Sequence, residues 1–251
     1  MRFNSAQIQK IGKEIRSKVD GKTLFDEFSR GRYSTDASVY QIKPLGVVLP
    51  KDTNDVLSLM EYSQKNSVPL LARGGGSSQC GQTVGESVVL DYSKHQNKIL
   101  ELNVEEKYVW VQPGVVLDHL NDYLKPHGLW FPVDVSTSSR ATIGGMSANN
   151  SCGSRSLYYG NMVHNVLAIE AILDDGSIFQ FDQINKNYLA TKNNQDRLYK
   201  IIDKFIDVRQ KVGSEIDANW PTTQRRVGGY NIDLIDPEGF NASNLLVGSE
   251  G

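Results

Sequence analysis

The chain of 251 residues has only two cysteines, Cys80 and Cys152, each set among glycines and serines. That excludes a disulfide framework and a cysteine zinc site, and it fits a reducing compartment. Only four histidines occur, His95, His119, His127 and His164, without metal-ligand spacing, so no metal site is expected and all four read as surface or packing residues. No apolar run approaches the roughly 20 residues that span a bilayer, and the polar N-terminus lacks the apolar core of a signal peptide. Charge runs are also missing. The 27 basic and 29 acidic residues are dispersed and leave a formal net charge of -2, which argues against a nucleic-acid groove or a polybasic membrane surface. No internal repeat or low-complexity tract interrupts the chain.

What the chain does have is 39% hydrophobic residues against 22% charged, enough to bury a substantial core in one compact domain or two joined subdomains. Ile8, Ile11, Ile15 and Val19 stand at helical spacing. Gly46–Pro50 reads as a buried strand, Thr53-Asn54-Asp55 as the cap of a helix over 56–66, and Pro69–Ala72 and Ser87–Asp91 as further strands. A strand–helix–strand unit makes its two strands parallel and opens the loop after the second at their carboxyl edge, where α/β sheets bind ligands.

From Ile99 the texture becomes antiparallel. Ile99–Val104 and Tyr108–Val111 flank a turn-prone Glu105-Glu106-Lys107, and 166–173 pairs with 177–181 across Asp174-Asp175-Gly176. A helix is expected over 116–127, stopped by Gly128. The amide- and charge-rich stretch 185–212 reads as surface helices forming a connection. Leu245-Leu246-Val247 reads as an apolar strand running into Gly248-Ser249-Glu250-Gly251, an ending that suggests a piece of a longer protein.

Two loops carry chemistry. In Arg73-Gly74-Gly75-Gly76-Ser77-Ser78-Gln79-Cys80-Gly81-Gln82, three successive glycines after a buried strand let backbone N–H groups converge on a phosphate or pyrophosphate. Ser77, Ser78 and Gln82 add side-chain donors, and Arg73 either offsets charge or braces the loop. The alternative is a plain surface turn. The segment lacks the Gly-Lys-[Ser/Thr] ending of a nucleoside-triphosphate P-loop and the Gly-x-Gly-x-x-Gly of a dinucleotide fold.

The second loop follows Phe131-Pro132-Val133-Asp134 and runs from Ala141-Thr142-Ile143-Gly144-Gly145-Met146 through Ala148 and Cys152 to Arg155. Its small residues would let a flat ligand approach closely while amides and hydroxyls bond its edge. The alternative is tight packing of one backbone on another. Neither cysteine is expected to be a reactive thiol.

Together, in this order, the two loops resemble the vanillyl-alcohol oxidase and p-cresol methylhydroxylase superfamily of FAD-binding proteins. The likeness extends over 45–181 and includes Val111-Gln112-Pro113-Gly114. Arg226-Val227-Gly228-Gly229-Tyr230-Asn231-Ile232-Asp233-Leu234 and the closing Gly248-Ser249-Glu250-Gly251 are similar to landmarks of its D-lactate, glycolate and D-2-hydroxyglutarate dehydrogenase branch. Arg32–Tyr40 looks like the long members of that branch, which carry an iron–sulfur domain near their C-terminus.

The resemblance implies an α+β, two-subdomain FAD-binding fold of the p-cresol methylhydroxylase type, with a small parallel βαβ subdomain and a larger, mainly antiparallel sheet flanked by helices. It divides the chain into a lead-in (1–40), a first subdomain (41–97) and an incomplete second (98–251), with the substrate domain absent. Arg73, Gly74, Gly75, Gly76, Ser77 and Ser78 would wrap the FAD pyrophosphate, with Gln82 beside it. Pro132, Asp134, Thr142, Gly144, Gly145, Ala148 and Cys152 would line the flavin and its linker.

Some relatives bind FAD covalently through a histidine where Ser77 stands here, so the cofactor is expected to be non-covalent. The implied reaction is oxidation of a D-2-hydroxy acid by hydride transfer to flavin N5, with a quinone, a cytochrome or an electron-transfer flavoprotein as acceptor. The catalytic residues, and any iron–sulfur cluster, would lie beyond this chain. The implied location is the cytoplasm, with peripheral contact to the inner membrane. Three other readings stand beside this one: a non-catalytic FAD-binding module of a multi-subunit complex, a cell-wall-precursor reductase of the same fold, and a glycine-rich α+β domain without cofactor.

Overall fold

A computed structural model describes residues 3–191 and 195–250. The chain forms two compact units. The first comprises the chain up to Phe131 together with Ser136–Gly145 and Asp174–Gly176, and the second comprises Pro132–Val135, Met146–Leu173 and the chain from Ser177 onward. Residue 97 lies inside the first of these units.

The first unit opens with α1 (Ser5–Arg16), whose N-terminus is closed by a reciprocal box in which Asn4 and Gln7 each accept the other's backbone N–H. Three residues of its predicted stripe, Ile8, Ile11 and Ile15, are buried, whereas Val19 falls past the end of the helix and is half-buried. After β1 (Lys22–Leu24) and α2 (Glu27–Arg32) comes β2 (Gly46–Leu49), buried along its whole length. Next is α3 (Thr53–Asn66), which starts at the first residue of the expected cap rather than after it. The capping side chain is Asp52, whose carboxylate accepts from the N–H groups of Asn54 and Asp55. With the cap supplied by Asp52, the buried carboxylate of Asp55 accepts instead from the N–H groups of Asp20, Gly21 and Lys51, which ties the entry of β1 to the exit of β2.

The strands β3 (Leu70–Arg73) and β4 (Val88–Asp91) complete a sheet of order β1-β2-β4-β3. Consecutive strands β2 and β3 are not neighbours; β4 inserts between them and pairs parallel with both, while β1 adds an antiparallel edge. The two interior strands, β2 and β4, are buried along their whole length, whereas the edge strands β1 and β3 are not.

The expected hairpin forms as β5 (Ile99–Asn103) and β6 (Tyr108–Val111). It packs on α4 (Leu117–Leu124) through Leu102, Val109 and Val111 against Leu120 and Leu124. The predicted helix over 116–127 ends as a 3-10 turn at Lys125–His127, where Pro126 has no N–H to continue the helical ladder, and Gly128 closes it at φ 69°. α5 covers Ile143–Ala148.

The second unit carries α6 (Ser156–Tyr159), α7 (Met162–Asn165) and a hairpin of β7 (Ile169–Ile172) with β8 (Ile178–Phe181). Then follow β9 (Gln183–Asn185), α8 (Lys186–Ala190), α9 (Arg197–Asn219) and β10 (Gly239–Asn241), the last paired antiparallel with β9. Antiparallel pairing dominates after residue 98 as expected, but among the described residues it is split into three two-stranded ladders rather than one continuous sheet.

Two expectations change here. The stretch 185–212, of which 192–194 lie outside the described residues, is more than a connection. Ile202 of α9 is fully buried in a core with Phe181, Ile184, Ile235, Phe240 and Leu245. And Leu245–Val247 is not a strand: a 3-10 turn at Ala242–Leu245, capped by the Asn241 side chain, leads into a turn. Leu245 and Val247 are buried, and Leu246 half-buried, by packing without a strand partner.

Candidate functional site

The site residues expected from the sequence fall into two groups, one in each unit. In the first unit, β3 delivers the chain to Gly74-Gly75-Gly76, and the reason for three glycines is visible. A Cβ on Gly74 would lie 2.1 Å from Thr142 Oγ1, and one on Gly75 would lie 2.2 Å from the carbonyl oxygen of Arg140. The loop is pressed against segment 140–142, and only a backbone without side chains fits there. Gly76 adds a left-handed turn at φ 63°, and a Cβ there would lie 2.5 Å from the Arg73 guanidinium.

That packing leaves the donors of the loop unspent. Among the described residues, nothing accepts the backbone N–H of Gly74, Gly75, Gly76, Ser77, Ser78 or Gln79. A run of free N–H groups around a left-handed residue is an anion-binding nest. The Ser78 hydroxyl donates to the Gln82 side chain, and Ser78 Oγ accepts from the Cys80 N–H, so these two side chains shape the loop's far end.

Arg73 resolves its open alternative in favour of bracing. Its guanidinium donates to the carbonyls of Thr35 (2.9 Å) and Thr83 (3.1 Å) and lies 5.3 Å from the centre of the Tyr33 ring. Burial lowers its pKa, against the opposing pull of Asp91, Tyr33 and Asp36, yet a guanidinium stays charged. The fixed positive charge therefore sits directly beneath Gly76.

Thr142 is buried, and its hydroxyl oxygen accepts weakly from the Gly145 N–H at 3.4 Å. Gly144 is a second close approach. Its N–H donates to the Pro113 carbonyl at 2.9 Å, and a Cβ would lie 2.6 Å from the Pro113 side chain. Gly145 is exposed.

In the second unit, Asp134 caps the turn after Cys152. Its carboxylate accepts from the Ser154 hydroxyl at 2.7 Å and the Arg155 N–H at 2.9 Å. Burial alone would raise its pKa, but these donors outweigh it and hold the carboxyl below its ordinary range. Gly153 is obligatory, since a Cβ would fall 1.6 Å from the Asp134 carbonyl oxygen. Pro132 and Cys152 are half-buried. Ala148 offers its carbonyl to the N–H of Glu250, and Ser147 offers its own to Gly248, so the closing glycine turn docks on the end of α5; Gly251 lies outside the described residues.

Asn150 and Asn231 form a buried amide pair that joins distant segments of this unit. Asn150, fully buried at φ 47°, accepts from the Val163 N–H and donates to Asn231 Oδ1. Asn231 donates onward to the carbonyls of Val247 (2.7 Å) and Asn244 (3.2 Å). Beside it, Arg226 makes a two-pronged pair with Asp233, and its carbonyl accepts from Asn161. His164 packs under Gly160 and accepts the Asn161 N–H, a structural role as expected.

A family profile, that of the FAD binding domain, matches residues 44–182. The chain belongs to the FAD binding domain family. D-2-hydroxyglutarate dehydrogenase of Haemophilus influenzae is 35% identical over 87% of this chain and 22% of its own length. Glycolate oxidase subunit GlcD of Bacillus subtilis is 35% identical over 69% of this chain and 38% of its own. The chain thus spans less than two-fifths of the relatives it matches. Among solved structures, p-cresol methylhydroxylase with substrate bound superimposes with a TM-score of 0.57 at 19% identity, over 71% of this chain and 36% of that one. The expected α+β, p-cresol methylhydroxylase-type FAD-binding fold is therefore the fold of this family member.

Tyr33, Asp91 and Arg140 escape a reading of the sequence as site residues. Tyr33 lies inside the segment that resembles the long relatives, but no local pattern marks a residue whose partner is 58 positions away.

Proposed function

We propose that this chain is the FAD-binding part of a flavin-dependent oxidoreductase that oxidises a D-2-hydroxy acid of the lactate, glycolate or 2-hydroxyglutarate type. The observation that carries the reading is the run of unspent N–H groups from Gly74 to Gln79, which suits a diphosphate, on a chain of the FAD binding domain family. Bound FAD would supply the hydride-accepting chemistry.

The chain's own part is to bind and orient. The N–H groups of Gly74–Gln79 would hold the diphosphate, with the buried charge of Arg73 beneath them. Pro132, Asp134, Gly144, Gly145, Ala148 and Cys152 would face the flavin and its linker, Asp134 by ordering the turn that carries Gly153. Thr142 would act through the loop it supports. Ser77 cannot form the bond that a histidine makes, so the cofactor would be held without a covalent link.

The substrate's carboxylate site and the proton-accepting base would come from outside these residues, as would an iron–sulfur centre. Among the described residues, no three His, Cys, Asp or Glu side chains cluster where a metal could bind. No helix among them is long and apolar enough to cross a membrane, and we place the protein in the cytoplasm with peripheral access to a quinone, cytochrome or electron-transfer flavoprotein.

An absorbance spectrum before and after acid precipitation tests the reading. Flavin bands that leave entirely with the supernatant are the expected result. A colourless protein that also ignores added FAD would sink it.

A further inference from the structure

Resting on the FAD-binding reading, we infer that Arg73, Tyr33 and Asp91 are positioning residues that lock the segment Tyr33–Tyr40 against the glycine loop and so preset that loop for a diphosphate. The segment meets the loop at four points, all within the first unit. Arg73 bridges the carbonyls of Thr35 and Thr83 through two different guanidinium nitrogens. The Thr83 hydroxyl donates to Asp36. The Tyr40 ring fills the place of a side chain on Gly81, where a Cβ would stand 2.6 Å from it. And Tyr33 donates its hydroxyl to Asp91 at 2.7 Å while presenting its ring to Arg73.

Asp91 anchors the assembly from the sheet. It pairs with Arg73 across the parallel β3–β4 ladder, and its other oxygen accepts both the N–H and the hydroxyl of Ser93, so the carboxylate is fully committed. Tyr33 is thereby held at its hydroxyl, with its ring 5.3 Å from the Arg73 guanidinium, whose own geometry is set by the two carbonyls it spans. The guanidinium lies where a Gly76 side chain would be, which ties the left-handed turn of the loop to the chain of contacts. A lysine would keep the charge but could not span both carbonyls in one plane. None of these three groups need touch the ligand: they set N–H groups whose alignment would otherwise be lost to loop entropy on binding.

The test is titration of the purified protein with FAD by flavin fluorescence, with ADP and adenosine as competitors, for the parent, Arg73→Gln, Arg73→Lys and Tyr33→Phe. Arg73→Gln is expected to raise the FAD Kd about tenfold or more and to shrink the preference for ADP over adenosine, with Arg73→Lys intermediate and Tyr33→Phe weaker by about threefold. Folding is checked by circular dichroism, and should Arg73→Gln not fold, Tyr33→Phe alone decides. Folded variants that bind FAD within about twofold of the parent, or that lose ADP and adenosine affinity equally, would overturn the inference while leaving FAD binding intact. A parent that binds no FAD removes the underlying reading, and this inference with it.

Discussion

Thr142 occupies the space that a side chain on Gly74 would need, with its Oγ1 2.1 Å from the ideal Cβ position. The contact is between a glycine loop and a buried residue from a segment almost seventy positions later, and it makes a two-way prediction. Gly74→Ala should destabilise the protein by about 1–3 kcal/mol through overpacking. Thr142→Ala alone should cost less, and in the double variant the deleted hydroxyl should give back much of the Gly74→Ala loss. A double-mutant cycle from denaturant melts measures the coupling. Simple additivity would mean that the two residues do not share this space.

The buried amide pair makes a sharper demand. Asn231 points its Nδ2 at two carbonyls, so Asn231→Asp replaces a donor with an acceptor at nearly constant size. At neutral pH the carboxylate would face the oxygens of Val247 and Asn244, and the loss should exceed the roughly 1–3 kcal/mol of an unsatisfied buried group. Acidification protonates the new carboxyl and should recover part of it. Guanidinium melts of the variant and parent across pH check the sign: a gap that does not narrow at low pH would contradict the assigned donor direction.

These cases show how far the sequence could be read. The fully buried run Gly46–Leu49 and the alternation around Tyr108–Val111 are local signals, and the corresponding strands form where expected. The insertion of β4 between β2 and β3 is a choice made by tertiary packing, to which no local pattern testifies. β1 is not legible, because its three residues are largely unburied and carry no alternation. Leu245–Val247 has strand composition but no partner strand, and its hydrophobicity is answered by core packing instead.

The glycines are the more instructive case. Gly74, Gly75, Gly144 and Gly153 are conspicuous in the sequence as room for a ligand. In the structure each accommodates another part of the chain, and the N–H groups proposed to hold the diphosphate are those that this packing leaves over. Which neighbour presses on a glycine is a tertiary fact, so composition alone could not separate the two uses.

Asp134 gives a pH signature. Its carboxyl is held below the ordinary range in the folded protein, so its contribution is present above the unfolded pKa of about 3.9 and is lost as pH falls through the lower folded value. Asp134→Asn, which cannot accept from the Ser154 hydroxyl and the Arg155 N–H with a charged group, should be less stable than the parent at pH 7. The difference should fade only in strongly acidic solution. Melting curves of both proteins from pH 7 down to about 2.5 provide the comparison, and a gap that stays constant would remove the carboxylate from the account.

Arg140 supplies the last prediction. Its carbonyl packs against Gly75, its side chain is exposed, and among the described residues no acidic partner pairs with it. Arg73, by contrast, is committed to two carbonyls, leaving Arg140, whose backbone adjoins the glycine loop, as the cation without a hydrogen-bonding duty there among the described residues. If a diphosphate binds there, Arg140→Gln should weaken FAD binding by a few-fold, the scale of about 0.2–1 kcal/mol expected for an exposed charge pair. Because such a pair is screened by salt, the gap between variant and parent should be widest near 20 mM and close at about 0.5 M ionic strength. A salt-independent gap would point to a packing role for the side chain, and no gap at any ionic strength would take Arg140 out of the binding surface.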